Sequence, residues 1–255
     1  MCQNIYILTL FKEYFNSPFE NSILKKAISF NKMNIKFINL REYAIDNYGS
    51  VDDEIYGGGP GMLLRPEPAE SAINNTIKQF TQGKSINIYM SPKGEKLNQK
   101  LCEKLYKYKN LLILTGRYEG IDQRIIDKHI DLELSIGDYI LPDGESASLI
   151  LLECLARLHE GIVGKMDSVV DDTFTTGKLE APHYTRPNNY KGTIVPKILL
   201  SGNHEEIRKW RLVKSLEITY NKRPDLLIKN PLNKEEKKML KLIFKKSIII
   251  KDEQN

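Results

Sequence analysis

Two short segments constrain the fold of this chain more than any others: residues 111–120, reading LLILTGRYEG, and residues 134–141, reading LSIGDYIL. Each is an apolar run that stops at a glycine and passes into polar residues. A buried strand ending in a glycine turn leaves backbone N–H and C=O groups free at its carboxyl end, and in open α/β sheets ligands sit at that edge. Gly116 and Ser135 are 19 residues apart, which leaves room for one short helix between the strands. Neither turn is a phosphate cradle, because neither contains G-x-G-x-x-G and no Lys-Ser/Thr follows the glycines.

The same alternation runs through the first two-thirds of the chain. Apolar runs at 5–10, 35–40, 86–90, 111–114 and 132–136 predict strands. Helical patterns are expected from Ser17-Pro18, from Arg65-Pro66, and over 97–108, 121–129 and 145–158. Proline just inside a helix start and alternating strand and helix patterns predict an α/β fold, a mostly parallel sheet with helices on both faces. Residues 41–64 are expected to be a long polar, glycine-rich loop, and 161–195 an aperiodic inter-domain linker. Capping-box-like sequences at Asn203-His-Glu-Glu206 and Asn233-Lys-Glu-Glu236 predict helices to about residues 220 and 248. The domains expected are therefore 1–160, a linker over 161–195, and a small all-helical domain over 196–255.

Charge separates along the same lines. Residues 196–255 hold 15 Lys and Arg against 8 Asp and Glu, whereas 1–195 hold 23 against 25. All the excess positive charge lies in the last sixty residues, as expected for a segment that contacts a polyanion, although a solvated helical tail has the same composition. No apolar run approaches the ~18 residues of a membrane span, and the N-terminal IYILTLF lacks the flanks of a signal peptide, so a cytoplasmic protein is expected. Three scattered cysteines without C-x-x-C spacing fit a reduced compartment. The four histidines show no metal-ligand spacing, and no metal site is expected.

Several motifs remain. Tyr56-Gly-Gly-Gly-Pro-Gly61 lets the backbone approach a planar ligand or adopt angles closed to other residues, with Pro60, Tyr56 and Met62 expected to anchor it. Ser91-Pro92-Lys93-Gly94 is a turn after a strand. Arg117 and Glu119 flank a tyrosine and could form a structural ion pair. Asp171-Asp172 could be solvated, or packed in a cleft where one carboxylate serves as a general base.

Together these residues resemble a family. Asp52–Met62 (DD-x-x-YGGGPGM), Ser91–Gly94 (SP-x-G), Gly116–Asp122 (GRYEGID), Ser135–Tyr139 (SIGDY), Pro182–Pro187 (PHYTRP) and Val195–His204 (VP-x-x-LLSGNH) match, in order, the bacterial tRNA (guanine-37-N1)-methyltransferases of the SPOUT superfamily. The match continues through Trp210-Arg211-Leu212 to Arg223-Pro224 and ends near Leu227.

The resemblance implies an α/β domain with a C-terminal deep trefoil knot and S-adenosylmethionine bent within it. The donor-binding positions carried over are Tyr89, Met90 and Ser91; Gly116, Arg117, Tyr118 and Glu119; Ser135, Ile136, Gly137, Asp138, Tyr139, Ile140 and Leu141; and Gly144. Asp172 is implied as the general base that takes the N1 proton of guanine, and Arg157 as the group that stabilises charge developing on O6. Asp53, Gly58, Gly59, His183, Arg186, Ser201 and Arg208 are implied as contacts to a tRNA bearing guanosine at position 37. The resemblance also implies a homodimer whose active site is shared across the interface, and a response to Mg²⁺ for which the sequence holds no ligand cluster.

The chain departs from the family at Asp143, where a glycine is usual, and at Ser146-Ala147, where Leu-Pro is usual. A carboxylate at 143 would lie beside the donor. The loop 46–50 also lacks the His and Arg that usually precede Asp52-Asp53. An RNA-binding module that keeps the fold and has lost catalysis is the rival expectation, and a methyltransferase for another RNA such as ribosomal RNA is a third. Retention of Asp172, Arg157 and all three loops favours the enzyme.

Overall fold

The computed structural model describes residues 2–163, 173, 174 and 176–241. The expected base Asp172, its neighbour Asp171 and residues 242–248 of the last expected helix lie outside the described residues. Two compact units divide the chain, Met1–Gly164 and Lys165–Asn255.

In the first unit the strands are β1 (Gln3–Thr9), β2 (Met33–Asn39), β3 (Asp52–Glu54), β4 (Met62–Leu64), β5 (Ser85–Lys96), β6 (Asn110–Leu114) and β7 (Leu132–Ser135). Five of them form one sheet in the order β2-β1-β6-β5-β7. Every pairing in it is parallel. The helices are α1 (Asn16–Asn21), α2 (Ile23–Ser29), α3 (Pro66–Ile77), α4 (Gln99–Leu105), α5 (Gln123–His129) and α6 (Glu145–Ala156).

Two-residue periodicity sorts the strand side chains onto the two faces. Ile5, Ile7, Ile86, Ile88, Leu111 and Ile113 pack with Leu24 and Ala27 of α2, Leu101 and Leu105 of α4, and Leu151 and Leu155 of α6. Tyr6, Leu8, Tyr89, Leu112 and Leu114 point the other way, onto Ala69, Ala72 and Ile73 of α3 and Ile125 of α5. Both faces are covered, so the strands read as continuous apolar runs.

Helix starts follow local chemistry. Asn98 and Asp122 accept hydrogen bonds from the backbone N–H groups of Leu101 and Arg124, and Pro66 opens α3. The helix expected from Ser17-Pro18 is divided, because extended Ser22 caps α2 by accepting from Leu24 N. The loop expected over 41–64 instead contains an antiparallel hairpin, with Asp52 opposite Leu64 and Glu54 opposite Met62. Its three-residue strands are too short to show a period in sequence. β5 runs six residues past the expected end at Met90. Met90 and Glu95 both pair with Leu134 of β7, a contact that no local pattern encodes.

Residue 159 contributes a buried polar anchor. Gln3 directs its side-chain amide at the carbonyls of Leu105, Tyr106 and Tyr108. Its carbonyl oxygen therefore faces His159 Nε2 at 3.2 Å, so Nε2 carries the proton and the ring is neutral. Nδ1 is buried without a partner among the described residues, and Tyr106 packs edge-on at 4.8 Å. Burial, then nearby positive charge, lowers the pKa from 6.5 to about 4. The unfolded chain then binds a proton that the folded chain refuses, so stability should fall as pH drops from about 6.5 through about 4. The slope should approach ~1 kcal/mol per pH unit. Urea unfolding across this range should show it, and His159→Gln should flatten the dependence.

In the second unit a short hairpin pairs Asn189–Tyr190 with Thr193–Ile194. It precedes helices His204–Lys222 and Pro224–Lys229 and a helical stretch over 234–241. Asn233 and Glu236 form both arms of a capping box at 2.9 Å each. At Asn203 only one arm forms: the side chain accepts from Glu206 N, while its own N–H goes to Ser201 Oγ. The segment before the helices is pinned to them. Leu179 N donates to Thr219 Oγ1, Ser215 Oγ donates to Leu179 O, and the largely buried Lys178 and Glu236 are paired at 2.8 Å.

Candidate active site

The neighbouring strands β6, β5 and β7 end at the same edge of the sheet, and their loops enclose a cleft of about 380 Å³. That lies in the range of small-molecule sites. Three backbones meet within van der Waals contact at its floor. A Cβ on Gly116 would lie 2.9 Å from the Tyr89 hydroxyl and 3.3 Å from Met90 O. One on Gly144 would lie 2.7 Å from Gly116 N. Gly144 N donates to Gly116 O at 2.8 Å, and Arg117 and Asp143 form an antiparallel bridge beside it. The loop after β7 is thereby laid across the loop after β6. Tyr118 takes a left-handed φ of 58°, a conformation that costs a non-glycine residue energy and is met most often at functional loops.

Every donor-binding position expected from the sequence lines this cleft except Asp138, whose carboxylate pairs with Lys96 on the surface. Pro92, Lys93, Gly120, Leu134, Pro142, Asp143 and Ala147 also line it and were not among those positions. They follow the expected motif residues directly in sequence or lie on β7 and α6, so adjacency was the available signal.

The electrostatics are concentrated on one side. Arg117 stacks on Phe11 at 4.1 Å and holds Asp143 at 3.9 Å, not Glu119, so the ion pair considered between Arg117 and Glu119 gives way to one between two loops. Glu119 instead packs under Gly61, and its N–H donates to Met62 O. Asp143 Oδ1 is buried with no partner among the described residues. Two positions along, Glu145 is 1% exposed and accepts from Thr9 Oγ1 at 2.5 Å and from Thr115 Oγ1 at 3.1 Å. Burial raises its pKa, and the neighbouring Asp143 adds to the rise. Burial likewise pushes Tyr89 up to about 12, so its hydroxyl stays protonated. Ser146 meets the Tyr14 hydroxyl.

Arg157 forms the C-cap of α6, whereas Gly144 forms its N-cap. The twelve-residue helix separates them by about 18 Å, and Arg157 does not line the cleft.

The glycine loop departs from expectation. Tyr56 is 99% exposed and anchors nothing, and a Cβ on Gly57, Gly58 or Gly59 would meet no atom within 4 Å. Their positive φ values, not close packing, are what require glycine there. Asp53 lies at the base of this hairpin, 3.5 Å from Arg65.

In the second unit His183 and Arg186 line a cavity of about 520 Å³ with Tyr184, Ile207 and Arg211. Ser201 sits in the turn before the long helix, donating to Ile198 O. Arg208 is held between Glu205 and Glu235, at 3.1 and 2.7 Å, and lines an adjacent cavity of about 810 Å³ with His183, His204 and Arg211. Arg211, in both cavities, was absent from the expected contacts, although it lies in the Trp210-Arg211-Leu212 run that sequence singled out.

The parallel sheet and the cleft at its carboxyl edge define an α/β domain whose strand-end loops enclose a pocket of small-molecule size. Sequence comparison narrows the class. A profile of the tRNA (Guanine-1)-methyltransferase TrmD family matches residues 3–229, and the chain belongs to that family. It is 49% identical to the tRNA (guanine-N(1)-)-methyltransferase of Buchnera aphidicola, over 92% of this chain and 88% of the relative. It is 45% identical to that of Bacillus cereus strain B4264 over 94% and 98%, and 43% to that of Actinobacillus succinogenes over 96% and 99%.

Proposed function

We propose that this chain methylates N1 of guanosine 37 in tRNA, with S-adenosylmethionine as donor. One observation carries the reading: the three motif loops of a methyltransferase family converge on a single cleft. The cleft suits the donor, because Gly116 and Gly144, where a Cβ would strike neighbouring protein atoms, let the loops close into one pocket of small-molecule size. The buried Asp143 carboxylate offers negative charge toward a cation. Met90, Ile136 and Leu141 supply apolar walls. When bound, S-adenosylmethionine supplies an electrophilic methyl group.

Guanine N1 carries a proton at neutral pH, so a base must remove it as the methyl group arrives. Asp172 is assigned that role, and Arg157 that of stabilising negative charge on O6. The separation of Arg157 from the cleft by the length of α6 supports a further element of the reading. In a two-fold dimer, Arg157 and Asp172 of one protomer would serve the cleft of its partner. The loop after β7 lying across the loop after β6, with Gly144 N donating to Gly116 O and Arg117 bridged to Asp143, supports threading of these loops as a trefoil knot. Asp53, Gly58 and Gly59 on the exposed hairpin, and His183, Arg186, Ser201 and Arg208, are proposed to contact the tRNA. Among the described residues no helix is long and apolar enough to cross a membrane.

The test is transfer of a labelled methyl group to a tRNA transcript with guanosine at position 37. Label should appear as 1-methylguanosine and vanish when guanosine 37 is replaced by adenosine. Tight binding without label would leave a binding module. A second expected result concerns charge. Several basic residues of residues 196–255 are already paired along their helix, Lys209 with Glu206 and Lys214 with Glu217 among them, yet a net positive charge remains. Affinity for tRNA should therefore fall by roughly 10-fold or more as salt rises fourfold, and Arg186→Ala with Arg211→Ala should reduce the salt slope. An unchanged slope would remove these two arginines from the interface.

A further inference from the structure

Among the described residues, Lys93, Arg117, Glu119 and Asp143 are the charged side chains that line the cleft, and they are not equivalent. Lys93 and Glu119 are exposed, and Glu119 packs under Gly61. Asp143 is the enclosed one, with its side chain 12% exposed against 36% for Arg117. Its Oδ2 lies 3.9 Å from Arg117 Nη1, too far for a hydrogen bond, and its Oδ1 is buried with no partner among the described residues. Glu145, the next carboxylate along the chain, does not line the cleft and is taken up by Thr9 and Thr115.

This carboxylate is fixed in place and only partly neutralised. The backbone bridge between Arg117 and Asp143, with Gly144 N donating to Gly116 O, sets its position at the crossing of two loops. Arg117 also stacks on the Phe11 ring at 4.1 Å, so its charge is shared between two neighbours. Met90, Ile136 and Leu141 line the same cleft, and apolar walls that exclude water strengthen any charge interaction beside them. A buried carboxylate oxygen without a partner costs free energy that a bound cation offsets.

We propose that Asp143 is a specificity-determining residue that makes the cleft prefer the cationic donor to its spent, neutral form. The inference rests on the reading of the cleft as the S-adenosylmethionine site. Loss of the methyl group converts a positively charged sulfonium into the neutral thioether of S-adenosylhomocysteine, and the adenosine and amino-acid parts stay the same. Contacts to those parts hold donor and product alike, so a charged group near the sulfur is what separates them. Asp143 attracts the sulfonium and has no such hold on the thioether. Fresh donor is thereby favoured and release of the product eased. The attraction weakens as charge leaves the sulfur, so it is stronger in the ground state than in the transition state. Asp143 therefore selects the donor and does not accelerate the transfer.

Calorimetry of the full-length protein tests this without methyl transfer. The ligands are S-adenosylmethionine, S-adenosylhomocysteine and sinefungin, whose amine carries positive charge where the donor has its sulfonium. The wild-type chain should bind both cations more tightly than the thioether. Asp143→Asn, similar in shape and neutral, should weaken both cations by roughly 10-fold, about 1.4 kcal/mol, and the thioether by less than about 2-fold. Arg117→Gln removes the competing charge and should widen the wild-type preference. The readout is a ratio of affinities within one protein, so a looser pocket or a smaller folded fraction affects all ligands and cancels. Equal weakening of all three ligands in Asp143→Asn would overturn the proposal and assign Asp143 to the ribose or ammonium group that donor and product share. A wild-type chain with no preference for the cations would overturn it without any variant. If none of the three bound the wild-type chain, the donor reading itself would fall, and the inference with it.

Discussion

Asp172→Asn is expected to leave S-adenosylmethionine affinity close to that of the parent and to cut methyl transfer by roughly 10²–10⁴-fold. Among the described residues, the proposed donor cleft is assembled from within 89–93, 116–120 and 134–147. An amide is nearly isosteric with the carboxylate but cannot accept the N1 proton at neutral pH. Calorimetry of the donor and single-turnover transfer separate binding from chemistry; a near-parental rate would remove Asp172 from the mechanism. The same variant tests the shared site. Mixed with Gly116→Trp, in which an indole would fill the contact between Gly116 and Tyr89, it should recover part of the activity once subunits exchange. Exchange without recovery would place base and cleft in one protomer.

Gly94→Ala is expected to lower stability by roughly 3 kcal/mol, at the upper end of the usual cost of overpacking. A Cβ at this position would lie 2.3 Å from the backbone carbonyl carbon of Glu133 and 2.4 Å from Leu134 N. Nothing there is a flexible side chain that could swing away. Residue 94 sits in the stretch between the two pairings of β5 with β7, so relief requires parting the strands or displacing Ser91–Lys93, which line the cleft. Urea unfolding should show a lower midpoint, and donor affinity should fall with it. Parental stability would mean that this crossing is looser than its distances.

Much of the α/β unit was legible locally. The alternation of apolar runs and capped helices located all five strands of the main sheet, because burial on both faces demands uninterrupted apolar residues and helix ends demand side-chain acceptors. The strand-end loops 116–119 and 136–141 could be proposed as one pocket for the same reason: both terminate parallel strands at one edge.

What local pattern could not supply was contact between distant segments. Ser91–Gly94 looked like an ordinary turn, since the requirement for glycine at 94 is imposed by the backbone of Glu133, 39 residues later. Tyr56 looked like an anchor, yet its side chain is 99% exposed. The partner of Arg117 was sought at Glu119, its near neighbour, and found at Asp143 on another loop. Residue type and periodicity therefore determined the elements and the chemistry at their ends, because those are set by backbone hydrogen bonding and burial within a few residues. Which of those groups share a cleft, a salt bridge or a proton was decided by the tertiary structure alone, because each such pairing forms only when strands and helices far apart in the chain are packed together.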